Sequence, residues 1–424
     1  MSKVCFSMLL HSHQPVGNFD HVIEEAYQRA YSPFLAVLSQ HEGIHASLHY
    51  SGVLLEWIET RHLEFFRDLR RLVDRGQVEL LGGGFYEPIL VSIPDRDKTA
   101  QVRKLSAYLR NHFGVTPRGA WLAERVWEPA LAYPLAEAGV EYVVLDDTHF
   151  LAAGLDPESL RGYYLTEEAG FPLRLVPSLK ALRYTIPFRE PAETLDILRG
   201  GREAPSETQP GGPAPLFAFG DDCEKFGVWP GTFEHCYEHF WLERFMQALG
   251  EAREWLETTT ISSYLAANPP LGRAYLPAAS YPEMMEWSLP VAASREFKWC
   301  LEECGRTPSN ARFRRFLLGG LWRNFLSKYP ESNQLHKLML EVSRRWHEAS
   351  RADKSGSASK MGRWLAEAHD HLLAGQCNDA YWHGVFGGLY APHLRAGVER
   401  RLIKAEVLLD NIESAPGKPE VSFE

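Results

Sequence analysis

VCFSMLLHSH (residues 4–13) is an apolar run, broken only by Ser7, that stops at two histidines. An alternating run would give a strand with one wet face. A continuous one gives a strand buried on both faces, as in parallel sheets covered by helices. The same signature recurs in HASLHYSG (45–52), QVELLGGGFYEP (77–88), GAWLAERVWEP (119–129), YVVLDDTHF (142–150), LFAFGDDCEKF (216–226) and RAYLPAASYPEMMEW (273–287), so seven strands are expected. Helical patterns separate most of them, as at 24–40, 54–76 and 97–114. Strands alternating with helices imply parallel βα units. Chemically loaded residues end nearly every run, which favours a barrel whose βα loops converge on one site. No Gly-rich phosphate loop follows the first strand, which counts against a doubly wound nucleotide fold.

The expected organisation is an α/β barrel over residues 1–290, a helical subdomain over 291–412 that completes a cleft, and a tail over 413–424. Within the barrel, an insertion around 160–214 holds short β pieces (163–190) and a Pro/Gly-rich loop (199–214). In the helical part, ARFRRFLLGGLWRNFLSKYPESNQLHKLMLEVSRRWHEA (311–349) has a helical period interrupted by a proline, and 351–360 is a polar connection.

The 424 residues are 45% hydrophobic and include 12 Trp, 17 Tyr and 22 Phe, globular material rich in flat side chains. A formal charge of −10 without clustered Lys and Arg argues against a nucleic-acid partner. The six cysteines form no CxxC pair, so neither a zinc knuckle nor a disulfide framework is written here. The start carries no signal-peptide pattern, and no stretch approaches the roughly 20 apolar residues that span a bilayer. These features read as a cytoplasmic chain with no membrane partner. The oligomeric state stays open, a homodimer being one option.

Two strand-end carboxylates stand among aromatics: Glu124 in WLAERVWEP, between Trp121 and Trp127, and Asp222 in FAFGDDCEKFGVW. Either alone also reads as a rim ion pair or a helix N-cap. Together they match what glycosidic cleavage needs, one ionised carboxylate and one carboxyl held protonated. Asp221 and Glu224 would raise the pKa of Asp222, and Arg125 would help keep Glu124 ionised. Trp121, Trp127, Trp229 and Trp382 read as walls on which sugar rings stack.

His11 and His13, two apart on a strand, share a face. They suit hydrogen bonds to sugar hydroxyls. With Asp222 or Asp146 they would instead hold a metal, as in a metal-dependent polysaccharide deacetylase or amidohydrolase. A non-catalytic sugar-binding protein is a third reading. QCNDAYWHGVFGGLYAPHLR (376–395) is too polar for a plain packing helix, so Asp379, Trp382 and His383 face either a cleft or a buried polar seam.

Five stretches in order, HSHQP (11–15), GGGFYEP (82–88), WLAERVWEP (121–129), GDDCEKFGVW (220–229) and PAASYPEMMEW (277–287), resemble the motifs of glycoside hydrolase family 57. The later segments WRNFLSKYPESNQLHKLML and QCNDAYWHGVFGGLYAPHLR are similar to its 4-α-glucanotransferase and α-amylase branch. The resemblance implies an incomplete (β/α)7 TIM-like barrel followed by a helical subdomain, and a retaining enzyme acting on α-1,4-glucans such as maltooligosaccharides. It implies Glu124 as nucleophile and Asp222 as acid/base, with Asp221 a neighbour. His11, His13, Glu87, Trp121, Glu224, Trp229, Asp379 and Trp382 would line the glucan subsites, and no metal or cofactor is implied. Members of that branch normally continue into a C-terminal β-sandwich, whereas the sequence here stops at Glu424, either as a short form or as a separated catalytic part, and it carries Cys223 where glycine is usual.

Overall fold

The computed structural model describes residues 3–203, 213–353, 359–384 and 388–414. Most of the expected 199–214 loop, the middle of the 351–360 connection and nearly all of the tail lie outside the described residues. The helix Pro191–Glu203 occupies the start of that loop.

Among the described residues seven parallel strands form a ring, and one more short strand, Leu256–Thr258, pairs in parallel with the start of the first. β1 (Val4–Ser12) lies at its centre in the pairing order, with β2 (Ala46–Tyr50) and then β3 (Val78–Leu81) on one side. β4 (Gly119–Ala120) pairs with β5 (Tyr142–Asp146). β6 (Tyr164–Glu168) stands outside the ring as the antiparallel partner of β7 (Phe171–Ser178), which itself pairs in parallel with β5. β8 (Leu216–Asp222) returns to β1. Two thin seams close the ring, a parallel bridge Gly82–Ala120 between β3 and β4, and a single pair Ser178–Ala218 between β7 and β8.

The seventh stave is therefore β7, from the segment expected as an insertion, and not 273–287. That segment yields only an edge strand on β6, Gly272–Arg273, and a short helix, Pro282–Trp287. β7 was concealed by Pro172 and Pro177, since proline removes a ladder donor and argues against a central strand.

The period of two along each strand sorts side chains between two cores. From β1, Cys5 and Leu9 point into the barrel, where they meet Leu81, Tyr142, Val144, Val176, Leu216 and Ala218. Phe6, Met8 and Leu10 face the surrounding helices. Burying a side chain such as Leu9, which is 0% exposed, is worth about 1.5–3 kcal/mol. The same alternation carries His11, His49, Asp146 and Asp222 to the inner rim at the strand ends.

Helices Pro330–Ala352, Lys360–Ala374 and Pro392–Glu413 pack together after the barrel. Pro330 opens its helix instead of interrupting one, because the first turn needs no donor there. A buried polar seam joins these helices to the barrel. Asp97 accepts hydrogen bonds from Ser343 Oγ and Gln376 Nε2, both at 2.7 Å, and lies 2.7 Å from His347 Nε2. Gln101 Nε2 donates to the Leu373 carbonyl at 2.9 Å. The seam leads the chain at 376–382 across the barrel mouth. All six cysteines are unpaired, and no helix among the described residues is long and apolar enough to cross a membrane.

Candidate active site

Glu124 sits just past the two-residue strand β4, on a turn where it (φ 55°) and Arg125 (φ 49°) both adopt the left-handed region. Non-glycine residues there cost on the order of 1–3 kcal/mol each and persist only when their surroundings over-determine them. Ser280 Oγ donates to the Glu124 carbonyl at 2.6 Å, and an antiparallel bridge ties Trp127 to Ala279. Arg125 reaches the Gly220 carbonyl at 3.4 Å and an Asp221 oxygen at 3.7 Å, with its guanidinium over the Tyr281 ring at 4.7 Å. The Tyr281 hydroxyl then donates to Glu124 Oε2 at 2.5 Å. Trp127, expected as a subsite wall, is a core residue only 1% exposed. It anchors the turn from below.

The three acids after β8 play different parts. Asp221 is buried against Arg183 Nε at 3.2 Å, Lys225 Nζ and Arg125. Burial alone would raise its pKa, but Arg183, Lys225 and Arg125 outweigh that and hold it down at about 2. Asp222, at the inner rim, is pushed above the usual aspartate value by burial and then by the Asp221 charge. Glu224 is raised to about 7 by burial and by Asp222, while it accepts from the Tyr31 hydroxyl and from the His13 backbone N–H at 3.2 Å.

Glu124 is also pushed up to about 7, by burial first and by Asp222 second, whereas the Tyr281 hydrogen bond and Arg125 pull it back. Arg125 thus contributes the expected stabilisation of the Glu124 anion from a distance; its ion-pair partner is Asp221. The Asp222 charge thus bears directly on the proton of Glu124. Their settings differ: at Glu124 the Tyr281 donor and Arg125 work against burial, Asp222 and Asp379, whereas at Asp222 burial and the Asp221 anion prevail over Arg125, Lys225 and Arg183.

Two mutations test this wiring. Asp221→Asn leaves three buried or half-buried cations short of their shared anion, and is expected to destabilise the fold by about 3–5 kcal/mol, measured by chemical denaturation. Tyr281→Phe removes a hydrogen bond to a charged group worth about 1.5–3 kcal/mol. The Glu124 pKa should then rise, so the acid limb of a kcat/KM profile moves to higher pH and kcat falls about tenfold or more. An unmoved limb would count against Glu124 as the ionised partner.

The opposite wall is built from the other strand ends and the 376–382 loop. His13 Nδ1 lies 2.9 Å from Ser51 Oγ and its Nε2 3.0 Å from Asp379 Oδ2. Burial would lower the His13 pKa, yet Asp379 raises it well above the ordinary value, so the pair is ionic. His11 Nδ1 faces His49 Nδ1 at 2.8 Å and Glu87 Oε1 at 3.6 Å. Burial and the neighbouring rings and cations keep both of these imidazoles neutral, His49 down at about 3. Glu87 has a left-handed backbone (φ 51°), and burial, ahead of its charged neighbours, raises its pKa to about 8. Asn378 donates to the Glu87 carbonyl through its backbone N–H at 3.2 Å and Nδ2 at 2.7 Å.

Trp121 is only 2% exposed and lies flat on His11, ring centroids 4.8 Å apart, so it supports a histidine instead of offering a free face. Trp229 and Trp382 stand farther out and half-buried. Trp229 stacks near Phe188 and under the Lys225 ammonium. Trp382 donates Nε1–H to Asn378 Oδ1 at 2.7 Å and lies parallel to Trp287, 6.3 Å away. A groove of about 330 Å³ lined by Trp287, Lys298, Lys328, Tyr329 and His383 adjoins Trp382 through the Trp287 ring.

The structure therefore brings Glu124, Asp222, His11, His13, Glu87, Trp121, Glu224 and Asp379 together, with Trp229 and Trp382 flanking. The expected grouping of His11 and His13 with Asp222 or Asp146 does not form among the described residues: the two histidines enter separate clusters. Asp146 is committed to Arg183 at 2.8 Å. His49, Tyr281 and Tyr31 were not foreseen. His49 carried the same strand-end signal as His11 and Tyr281 lay in a quoted motif, whereas Tyr31, inside a helix, gave none.

The family model described as "Glycosyl hydrolase family 57" matches residues 7–277. The chain belongs to glycosyl hydrolase family 57. A second model, "Alpha-amylase/4-alpha-glucanotransferase, middle domain", matches residues 320–409. Among similar proteins, alpha-amylase 1 of Dictyoglomus thermophilum is 45% identical over 97% of this chain and 57% of its own length. The 4-alpha-glucanotransferase of Thermococcus litoralis is 44% identical over 96% of this chain and 58% of its own. The crystal structure of the latter superposes with a TM-score of 0.87, covering 96% of this chain and 60% of that one. A family 57 branching enzyme of Pyrococcus horikoshii shares the fold at TM-score 0.68 and 15% identity, covering 100% of this chain and 98% of that one. The chain thus spans about three fifths of the length of the curated relatives it matches.

Proposed function

We propose that this chain carries the centre of a retaining α-glucan-active enzyme that cleaves α-1,4 bonds by double displacement, acting as a 4-α-glucanotransferase with hydrolysis as the lesser outcome. The observation that carries the reading is the unlike setting of two neighbouring, half-buried carboxyls. Glu124 accepts from Tyr281 with Arg125 behind it, and Asp222 stands beside the Asp221 anion. In the first step Glu124 attacks the anomeric carbon while Asp222 passes its proton to the departing glycosidic oxygen, leaving a glucosyl ester on Glu124. In the second, Asp222, now a base, takes the proton of an incoming hydroxyl that displaces Glu124 with net retention.

Water and a glucan 4-hydroxyl are the two acceptors, and the names of the relatives divide accordingly between alpha-amylase and 4-alpha-glucanotransferase. The aromatic groove beside Trp382 favours the glucan, since a bound acceptor sits at high effective concentration beside the ester. His11, His13, Glu87, Glu224 and Asp379 would hydrogen-bond the sugar at the cleavage point, and Trp229 and Trp382 would support flanking units. The test is incubation with a single maltooligosaccharide followed by chain-length analysis. Products longer than the substrate establish transfer; exclusively shorter ones establish hydrolysis. Unchanged sugar would remove the reading.

A further inference from the structure

We propose that His11, His49 and Glu87 form a site for one divalent transition-metal cation of the zinc kind at the floor of the cleft. His11 Nδ1 and His49 Nδ1 lie 2.8 Å apart, and Glu87 Oε1 is 3.6 Å from the first and 3.9 Å from the second. The point equidistant from three atoms so spaced lies in their plane about 2.0 Å from each, and zinc holds imidazole nitrogen at about 2.0–2.1 Å and carboxylate oxygen at about 2.0–2.2 Å, so a tetrahedral ion standing off that plane needs the two nitrogens to part beyond 2.8 Å. Two neutral imidazoles and one carboxylate are a zinc donor set that leaves a fourth position open. The His11 side chain, 12% exposed, gives that position access from the cleft.

Within the protein itself the polar atoms here are left short of partners. Glu87 and His49 are 1% and 0% exposed, yet among the described residues both Glu87 carboxyl oxygens and His49 Nε2 have no hydrogen-bond partner. Two Nδ1 atoms facing one another share at most one proton, and each buried polar group left unpaired costs about 1–3 kcal/mol. A cation would engage Glu87 and both imidazoles at once. The surroundings already hold the ligands in place, through the Trp121 ring on His11 and the two Asn378 donors on the Glu87 backbone. The nearby group His13, Cys377 and Asp379 also clusters, but there the histidine and the thiol both meet the carboxylate, at 3.0 and 3.3 Å, so it needs no ion.

A cation at this point would exclude a glucosyl unit from the cleavage position; that consequence rests on the glucan reading, and the site itself does not. The experiment is a calorimetric titration of zinc chloride into the metal-free full chain, with Glu87→Gln and His49→Asn in parallel and cobalt(II) absorption as a spectroscopic check. The expected result is one ion per chain, with affinity falling in each variant by more than the roughly 10–100-fold that loss of a supporting group costs. The visible bands of a four-coordinate cobalt site should vanish with it. Glu87→Gln is isosteric, so a folding defect confined to His49→Asn leaves the test decisive. Absent binding, equal binding in wild type and Glu87→Gln, or binding lost only in Cys377→Ala overturns the proposal. Maltoheptaose should weaken zinc binding; if zinc binds tightly and the sugar leaves it unchanged, the metal site stands and the glucan reading of this cleft fails.

Discussion

Glu124→Ala is expected to lose on the order of 10⁵ in kcat on maltooligosaccharides, the scale seen where a covalent nucleophile is removed. The loss should be specific to chemistry. The glutamine variant retains the side-chain volume and discards a half-buried carboxyl whose pKa is raised to about 7, so above that pH it sheds an unfavourable, partly desolvated charge. Its melting temperature at pH 8 should equal or exceed that of the wild type. Sodium azide should restore turnover to Glu124→Ala by attacking the anomeric carbon where the carboxylate stood. The product would be a β-glucosyl azide, the mark of a single inversion. Recovery of an α-azide, or retention of more than about a hundredth of wild-type kcat, would remove Glu124 from the nucleophile's role.

Asp222→Ala is expected to lose about 10³-fold, within the range for a general acid–base group. The size should depend on the leaving group. With an α-glucosyl fluoride, which departs without protonation, formation of the ester should proceed nearly as in the wild type and its breakdown become limiting, giving a burst. Azide needs no base and should relieve that second step. It attacks the ester on Glu124, so the product here would be an α-glucosyl azide. The opposite anomers from the two variants distinguish the residues in one assay, and identical anomers would refute the assignment. The Asp221→Asn variant provides a further contrast, since its carboxylate is held at about 2 by three cations and transfers no proton in the working range.

The ring of staves and most of the cleft were legible because strand ends are where a barrel concentrates polar side chains, and the apolar runs end at residues such as His11, Glu124 and Asp222. Legibility failed where local and long-range demands conflict. β7 carries two prolines that a central strand should not contain, and its place is set by pairing with Tyr142–Asp146, far away in sequence. The 273–287 segment has the composition of a strand, but Pro282 opens a helix there, and its Tyr281 reaches Glu124 only through the fold. Trp121 and Trp127 look alike in sequence; only packing shows that the first covers a histidine and the second is core. Composition did find Asp379, whose partner His13 lies 366 positions earlier.

The hydrogen bonds from Asn378 to the Glu87 carbonyl have a practical bearing on protein engineering. A barrel recombined with a different helical cap would inherit a glutamate in an unfavourable backbone setting with nothing to hold it, and a histidine stripped of its counter-ion. Chimaeras in this family should therefore exchange the 376–382 segment together with the Asp97 and Gln101 positions that seat it. A crossover placed between them would yield folded but idle hybrids.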